Sequence, residues 1–178
     1  MNIYIIIIII ILIIIAYFLY RILNQNSLIL ELCNARLIIL FNHLNDKYIL
    51  QNPTSKYSHN IKNLFDKFQF VNLQEINGNS GTAYTIDKKY IYICLRERVT
   101  PNKIYNINSV MFVLLHEITH LTNDTWDHTP DFWILFKFYL QEAIECGVYI
   151  PIDYSVHNEV YCKSSITYSP LYDDSIVV

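Results

Sequence analysis

An apolar run near the N-terminus constrains the fold of this chain more than any other feature. Residues 3–20 contain no charged side chain, and 11 of these 18 residues are isoleucine. Eighteen helical residues span roughly 27 Å, about the hydrocarbon thickness of a bilayer, and a lone span in lipid must be helical to satisfy its backbone hydrogen bonds. Tyr17 and Tyr20 lie where an interfacial aromatic belt is expected. The sequence therefore predicts a transmembrane anchor over residues 1–22.

The alternative to an anchor is a cleavable signal peptide, which the flanking sequence does not favour. No Lys or Arg precedes the run, and no small-residue cleavage pattern follows it. Arg21 and Arg36 come after the run, which favours a single-pass protein with a cytosolic C-terminal part. Widely spaced cysteines without a CxxC pair indicate neither a disulfide framework nor a zinc ribbon, and fit the cytosol. These cysteines are Cys33, Cys94, Cys146 and Cys162.

The charge balance of the chain argues against nucleic-acid binding. The chain carries 13 Lys and Arg against 16 Asp and Glu, and residues 1–20 contain none of them. The net charge of −3 therefore belongs to the part after the anchor, where a nucleic-acid binder usually carries clustered basic residues. The expected partners are the membrane, through residues 3–20, and a peptide or protein substrate. The sequence gives no indication of the oligomeric state.

The remainder of the chain is predicted to be a helical region followed by one α+β domain. Residues 23–60 form the juxtamembrane helical region, and residues 61–178 form the domain. In chain order, the predicted elements are a helix over 24–50, a break at 51–55, a short amphipathic helix over 61–68, a turn at 77–81, a hairpin of strands 83–86 and 90–95, and helices over 108–122 and 130–146. Asn108 or Ser109 is the expected cap of the first of these last two helices, and Thr129-Pro130 begins the second.

The segment His116-Glu117-Ile118-Thr119-His120 is an HExxH motif inside a predicted helix. Residues four apart lie on one face of a helix, so both imidazoles can bind a single metal ion. Glu117 is offset around the helix, where it can reach a metal-bound water without being a ligand. The motif predicts a zinc centre with His116 and His120 as ligands.

A catalytic zinc ion needs a third protein ligand and an open position for water. His128 is the leading candidate, because it follows the motif by eight residues across a loop rich in turn-forming residues. Glu142 and Glu145 on the next predicted helix are the rival candidates, and Asp124 and Asp127 in the loop are further alternatives.

The motif predicts hydrolysis of a peptide bond, with Glu117 as the general base acting on a zinc-activated water. Candidates to stabilise the oxyanion, by residue type alone, are His157, Tyr154 and Tyr161. His43 and His59 precede the hairpin and are interpreted as ordinary surface residues. The strand over 90–95 is expected to lie beside the site and to pair with an extended peptide by edge addition.

The HExxH motif and the segment His128-Thr129-Pro130-Asp131-Phe132-Trp133 together resemble the WLM/SprT-like zinc peptidases. In that family HExxH is followed by a short loop and a His-Gly-Pro-x-Phe-like segment that opens the next helix. The resemblance covers about residues 75–145 and implies a compact zincin with His116, His120 and His128 as ligands and Glu117 as base. The loop before His128 is longer here, and Thr129 replaces the usual glycine. The DNA-repair role of some members is not carried over, because this chain has an acidic balance and an anchor.

These features together predict an α+β fold: a small zincin-like domain, with an antiparallel hairpin, an active-site helix and a following helix, behind an N-terminal transmembrane helix. The expected function is that of a membrane-anchored zinc metallopeptidase. The alternative is a non-catalytic membrane or virion structural protein that retains a zincin-like fold. Its zinc site would be closed by a fourth protein ligand, such as Asp124, Asp127 or a cysteine.

Overall fold

One long helix, α1, begins the chain in this computed structural model, which describes residues 3–76, 81–97, 100 and 103–178. Helix α1 covers Ile3–Leu44 and continues into a π-helical segment, Asn45–Gln51. The predicted anchor and the predicted helix over 24–50 are thus parts of one continuous helix. No proline or glycine between them would end it. The side chain of Arg21 lies outside the described part of the chain.

The two halves of α1 have different surroundings. The apolar side chains from Tyr4 to Tyr20 are exposed to solvent. Farther along the helix, the buried side chains recur every three or four residues and pack into the core; they are Cys33, Leu37, Leu40 and Leu44. The segment Leu28–Gln51 is long and apolar enough to cross a membrane, a requirement that signal sequences and core helices of soluble proteins also meet. Residues of the predicted juxtamembrane region therefore contribute to the same core as the rest of the chain.

A three-stranded sheet follows the short helix α2, Ser58–Lys67. Its strands are β1, Leu73–Glu75, β2, Tyr84–Ile86, and β3, Tyr90–Ile93, in the order β1-β3-β2. Strand β1 is parallel to β3, and β2 is antiparallel to it. The expectation that β3 would accept a peptide at its edge is wrong, because both of its edges are already paired. Residues 77–80 of the predicted turn at 77–81 lie outside the described residues.

Two helices that pack against each other carry the HExxH motif and the segment after it. Helix α3 covers Ile107–Thr122 and α4 covers Pro130–Glu145, so both predicted helices are confirmed. The cap of α3 is Asn106, whose side chain accepts a hydrogen bond from the N–H of Asn108, and not Asn108 or Ser109 as expected. The reason is that the helix already begins at Ile107, so the expected caps lie within its first turn. Gly147, with φ +77°, ends α4 in the left-handed conformation that glycine favours.

A second hairpin, formed by β4, Glu159–Tyr161, and β5, Ser164–Ile166, is joined to the sheet by a disulfide between Cys94 and Cys162. The cysteine spacing indicated no disulfide framework, yet the fold pairs two cysteines that are 68 positions apart. Disulfides are rare in the cytosol, so the cysteine-based argument for a cytosolic domain no longer holds. The predicted α+β class is confirmed by this mixture of helices and small sheets.

Candidate metal centre

Three imidazole rings converge at the C-terminal end of α3. The Nε2 atoms of His116 and His120 are 3.2 Å apart, and His128 Nε2 lies 3.1 Å from His120 and 3.0 Å from His116. Residues 116 and 120 share one face of α3, as the four-residue spacing predicts. His128 comes from the loop between α3 and α4. The structure therefore brings together the three histidines that the sequence singled out.

The histidine triangle has the dimensions and the chemistry of a zinc site. Nitrogen ligands about 2.0–2.1 Å from a tetrahedral zinc ion are roughly 3.3–3.4 Å from one another, close to the separations of the three Nε2 atoms. An Nε2 atom is either a donor or an acceptor, so three of them cannot satisfy one another in a closed ring of hydrogen bonds. A cation between the rings satisfies all three lone pairs.

The three imidazoles are held in the neutral form that binds metal. Burial, together with the neighbouring histidines, lowers the pKa of His116 to about 3. Burial also lowers the pKa of His120 to about 4, and His128 is shifted in the same direction. A neutral imidazole keeps the lone pair that coordinates a metal ion, so these shifts favour ligation at neutral pH.

Aromatic rings from α4 fix the orientation of the histidines. The ring centroid of the buried Phe132 lies 5.0, 4.5 and 4.6 Å from those of His116, His120 and His128, respectively. Trp133 stacks on His128 at 5.5 Å with an interplanar angle of 26°. Packing of this kind locks the rotamers of the ligands before any metal binds.

Glu117 lies beside the triangle and has a polar partner from the sheet. Its side chain is buried, and the Thr85 hydroxyl lies 2.8 Å from its Oε2. Burial raises the pKa of Glu117 to about 7, and the hydrogen bond from Thr85 partly opposes that rise. A carboxyl group whose pKa is close to neutrality is suited to accept and release a proton at pH 7.

A lysine from the β2–β3 turn holds the loop that supplies His128. Lys88 Nζ donates hydrogen bonds to the main-chain oxygens of Asn123 and Asp124, the latter at 2.9 Å. It also lies 5.2 Å from the ring centroid of Trp126. The positive charge faces the C-terminal end of α3, where the helix dipole favours it.

A cavity of about 530 Å³ opens beside the histidines. Residues of β2 and β5 border it, together with aromatic side chains from α3 and α4, and they include Thr85, Ser165, Phe112, Trp133 and Phe136. Glu117 and all three histidines also line this cavity. A ligand in the cavity would therefore contact the three histidines and the carboxylate at the same time.

The rival ligand candidates Glu142 and Glu145 do not belong to the triangle of histidines. Glu142 accepts hydrogen bonds from Tyr48 at 2.8 Å and from Lys47 at 3.0 Å, and His43 Nε2 lies 2.8 Å from its Oε2. Glu145 pairs with the same lysine at 2.6 Å. These glutamates therefore join α4 to α1 and do not face the three histidines. His43, expected at the surface, is half-buried in this network because α1 packs on α4.

The aspartates and the oxyanion candidates are also placed by the structure. Two groups among the described residues could hold a metal ion: His116, His120 and His128 form one, and His43, Glu142 and Glu145 form the other. Neither group includes Asp124 or Asp127. Neither the fully buried Tyr154 nor the exposed His157 lines the cavity. Tyr161 lines the cavity, but its hydroxyl donates to Cys94 O at 2.6 Å. His59 is exposed, as expected.

Relatives of this chain occur in viruses. A protein of Acanthamoeba polyphaga mimivirus, described as uncharacterized, is 34% identical over 137 residues, which are 75% of this chain and 67% of that protein. The chain belongs to this viral family. An uncharacterized protein of Invertebrate iridescent virus 6 is 37% identical over 83 residues, 46% of each chain. Another, from Invertebrate iridescent virus 3, is 34% identical over 104 residues, 58% of this chain and 59% of that protein.

No protein-family profile and no solved structure matches this member of the viral family. The names of its relatives state no activity. The chemistry of the site is therefore the guide to function.

Proposed function

We propose that this viral protein is a zinc-dependent metallopeptidase with a zincin-like site of the WLM/SprT type. The supporting observation is the triangle of Nε2 atoms from His116, His120 and His128, 3.0–3.2 Å apart, in one cavity with the buried Glu117. These residue types, at this spacing, are those of a catalytic zinc site.

The residues around the triangle have distinct roles in this proposal. A bound zinc ion would supply a Lewis acid that activates water and polarises a carbonyl group. Glu117 accepts a proton at its carboxylate and later releases it to the leaving amine. Thr85 orients that carboxylate through its hydrogen bond. The open edge of β2, which borders the cavity, aligns the backbone of the peptide.

The alternative, a structural zinc site in a non-catalytic protein, requires a fourth protein ligand. In the part of the chain that the structure describes, no further His, Cys, Asp or Glu belongs to the triangle. The cavity also opens directly onto the histidines. An ion held by these three histidines would keep a position for water next to the buried Glu117, which favours hydrolysis over a purely structural role.

Zinc content measured on the detergent-solubilised full chain tests the metal centre. We expect one zinc ion per chain for the wild-type protein and its loss in His116→Ala and His128→Ala. His157→Ala is the matched control, because this exposed histidine does not line the cavity. Full zinc content in His128→Ala would rule out the proposed third ligand.

Hydrolysis of an unfolded peptide, such as the oxidised B chain of insulin, tests the enzyme. We expect Glu117→Gln to retain zinc and to lose activity by roughly 10²- to 10⁴-fold, the usual contribution of a general base. Hydrolysis by the wild type that is unchanged in Glu117→Gln would contradict the mechanism. Zinc binding without hydrolysis by the wild type would support the structural alternative.

The membrane location is part of the same proposal. Residues 3–20 insert as a single span, because the run is apolar and its side chains from Tyr4 to Tyr20 are exposed. The disulfide between Cys94 and Cys162 favours a domain in an oxidising environment, in place of the cytosolic location expected from Arg21 and Arg36.

A further inference from the structure

Two strands from different sheets border the cavity along runs of consecutive residues. Residues 82–85, which lead into and include most of β2, all line it. Residues 164–168, which include the whole of β5, also line it. Successive side chains of a strand point to opposite faces, so a face presents every second residue. Unbroken runs indicate that each strand borders the cavity with its backbone edge.

Each of these edges is free to accept another strand within the described part of the chain. Strand β2 is at the end of the order β1-β3-β2, and β5 pairs only with β4. Natural edge strands are usually protected by charged residues or proline. The sequences of β2 and β5, Tyr84-Thr85-Ile86 and Ser164-Ser165-Ile166, contain neither. The small, exposed serines leave the backbone of β5 accessible.

The register of the second hairpin identifies a residue of β5 that faces outward. The two-residue turn Cys162-Lys163 is closed by Tyr161 and Ser164, the hydrogen-bonded pair. Hydrogen-bonded pairs alternate with non-hydrogen-bonded pairs, so the next pair, Val160 and Ser165, is not hydrogen-bonded within the hairpin. The backbone N–H and C=O groups of these two residues therefore point out of the hairpin, at the outer edge of β4 for Val160 and at the outer edge of β5 for Ser165. Ser165 lines the cavity and Val160 does not.

The second hairpin is fixed to the body of the fold, so its edge has a defined position. The disulfide joins Cys162 to the residue after β3, and the N–H of Cys162 donates to the Tyr105 hydroxyl at 2.9 Å. The carboxylate of Glu159 accepts a hydrogen bond from the Ser109 hydroxyl of α3 at 2.6 Å. Because this strand edge is already held at several points, it loses little conformational entropy when it binds a partner.

We propose that the substrate is an extended, unfolded polypeptide segment that binds as an additional strand between β2 and β5 and forms backbone hydrogen bonds with both. This inference rests on the proposed function for the chemistry at the histidines. It identifies the substrate class: the site recognises the main chain of an unfolded segment along both edges. A folded loop, whose backbone groups are already paired, does not fit.

Amide hydrogen exchange on the zinc-loaded full-length Glu117→Gln protein tests the binding mode directly. The probe is the oxidised B chain of insulin, which the inactive variant binds without cleavage. We expect slower exchange in residues 82–86 and also in residues 164–167. Protection of the first segment alone would overturn the two-edge inference, and so would failure of the probe to bind.

Proline substitution provides a matched pair of variants in the same background. Ser165→Pro removes the N–H that faces the cavity, while Val160→Pro removes the equivalent N–H on the opposite edge. Both leave the pairing within the hairpin intact, because neither N–H bonds the other strand. We expect Ser165→Pro to weaken probe binding roughly 2- to 12-fold, the value of one hydrogen bond, and Val160→Pro to leave it unchanged. Equal affinities for the two variants would overturn the inference.

These results separate the inference from the proposed function. Protection of both segments, with no hydrolysis by the zinc-loaded wild type, would support the two-edge site and refute the peptidase. Hydrolysis by the wild type, with protection confined to residues 82–86, would support the peptidase and refute the second edge.

Discussion

The hydroxyl group of Thr85 is the contact that most directly controls Glu117. It lies 2.8 Å from the carboxylate and comes from β2, the strand that also borders the cavity. A hydrogen bond to a buried carboxylate favours its charged form and fixes its direction. Thr85 thus connects the binding edge of the sheet to the proposed base.

Replacing Thr85 by valine keeps the shape of the side chain and removes the hydrogen bond. A bond to a charged group contributes about 1.5–3 kcal/mol, so we expect kcat/KM to fall roughly 10- to 150-fold with zinc content unchanged. The bond lowers the pKa of Glu117, and its loss should move the acid limb of the pH–rate profile to higher pH. Thr85→Ser, which keeps the hydroxyl, is the control; an unaltered profile in Thr85→Val would contradict this role.

At the scale of single residues, the sequence predicts contacts that are local and misses those that are distant. The positions of His116 and His120 follow from helix geometry alone. His128 is identified by residue type and by the turn-forming loop before it. Thr85 carries no signal, because its contact with Glu117 joins residues 32 positions apart. Phe132 is indicated in the sequence only because its segment resembles that of the WLM/SprT-like peptidases.

At the scale of elements, the loop between α3 and α4 determines whether the proposed metal site is complete. Lys88 holds this loop through the main-chain oxygens of Asn123 and Asp124 and lies over Trp126. Asp87 and Lys88 have positive φ values, so the turn that carries the lysine is a tight one. The β2–β3 turn is therefore part of the support for His128.

Lys88→Met removes the charge and keeps most of the side-chain volume. We expect zinc to dissociate more readily, with a Kd about 10- to 100-fold higher, as is usual when a group that orients a ligand is lost. Lys89→Met is the matched control, because Lys89 lies in the same turn and contacts the ring of Tyr90. Competition with a chromophoric chelator measures both affinities; equal values would contradict the proposed role of Lys88.

The disulfide determines the stability of the second hairpin and of the cavity wall that it forms. It closes a loop of 68 residues, for which the chain-entropy estimate is about 4 kcal/mol. We expect a Cys94→Ser/Cys162→Ser variant to lose stability of that order in urea denaturation. Cys146→Ser, at a free and half-buried cysteine, should change it little. Identical midpoints for the double variant and the wild type would contradict the pairing.

At the scale of the whole molecule, the two halves of α1 are expected to lie in different solvents. Lysine at the centre of a span costs about 2.5–3.5 kcal/mol, so Ile9→Lys/Ile13→Lys should release the protein from membranes. Ile38→Lys/Ile39→Lys places the same charges on exposed positions of the core-packed half and should leave it bound. Extraction of membranes with alkaline carbonate measures whether each variant stays bound. Release of the Ile38→Lys/Ile39→Lys variant alone would place the span at Leu28–Gln51.

The class of fold could be predicted from the sequence, and its long-range pairings could not. Helix α3 follows from apolar periodicity, and α4 follows from apolar periodicity, from Thr129-Pro130 and from Gly147, which are local signals. The central position of β3 depends on its parallel pairing with β1, which no pattern in either strand specifies. The Cys94–Cys162 disulfide and the contacts of Glu142 with α1 likewise depend on how distant elements pack.

X-ray absorption at the zinc edge tests the central claim most directly, because it reports the number and type of ligands around the ion. For the zinc-loaded wild-type chain we expect three imidazole nitrogens and one exchangeable oxygen. His128→Ala should lose one imidazole, and Glu142→Gln should leave the spectrum unchanged, because Glu142 pairs with Lys47 away from the triangle. Four protein ligands, or a spectrum altered in Glu142→Gln but not in His128→Ala, would contradict the proposed active site.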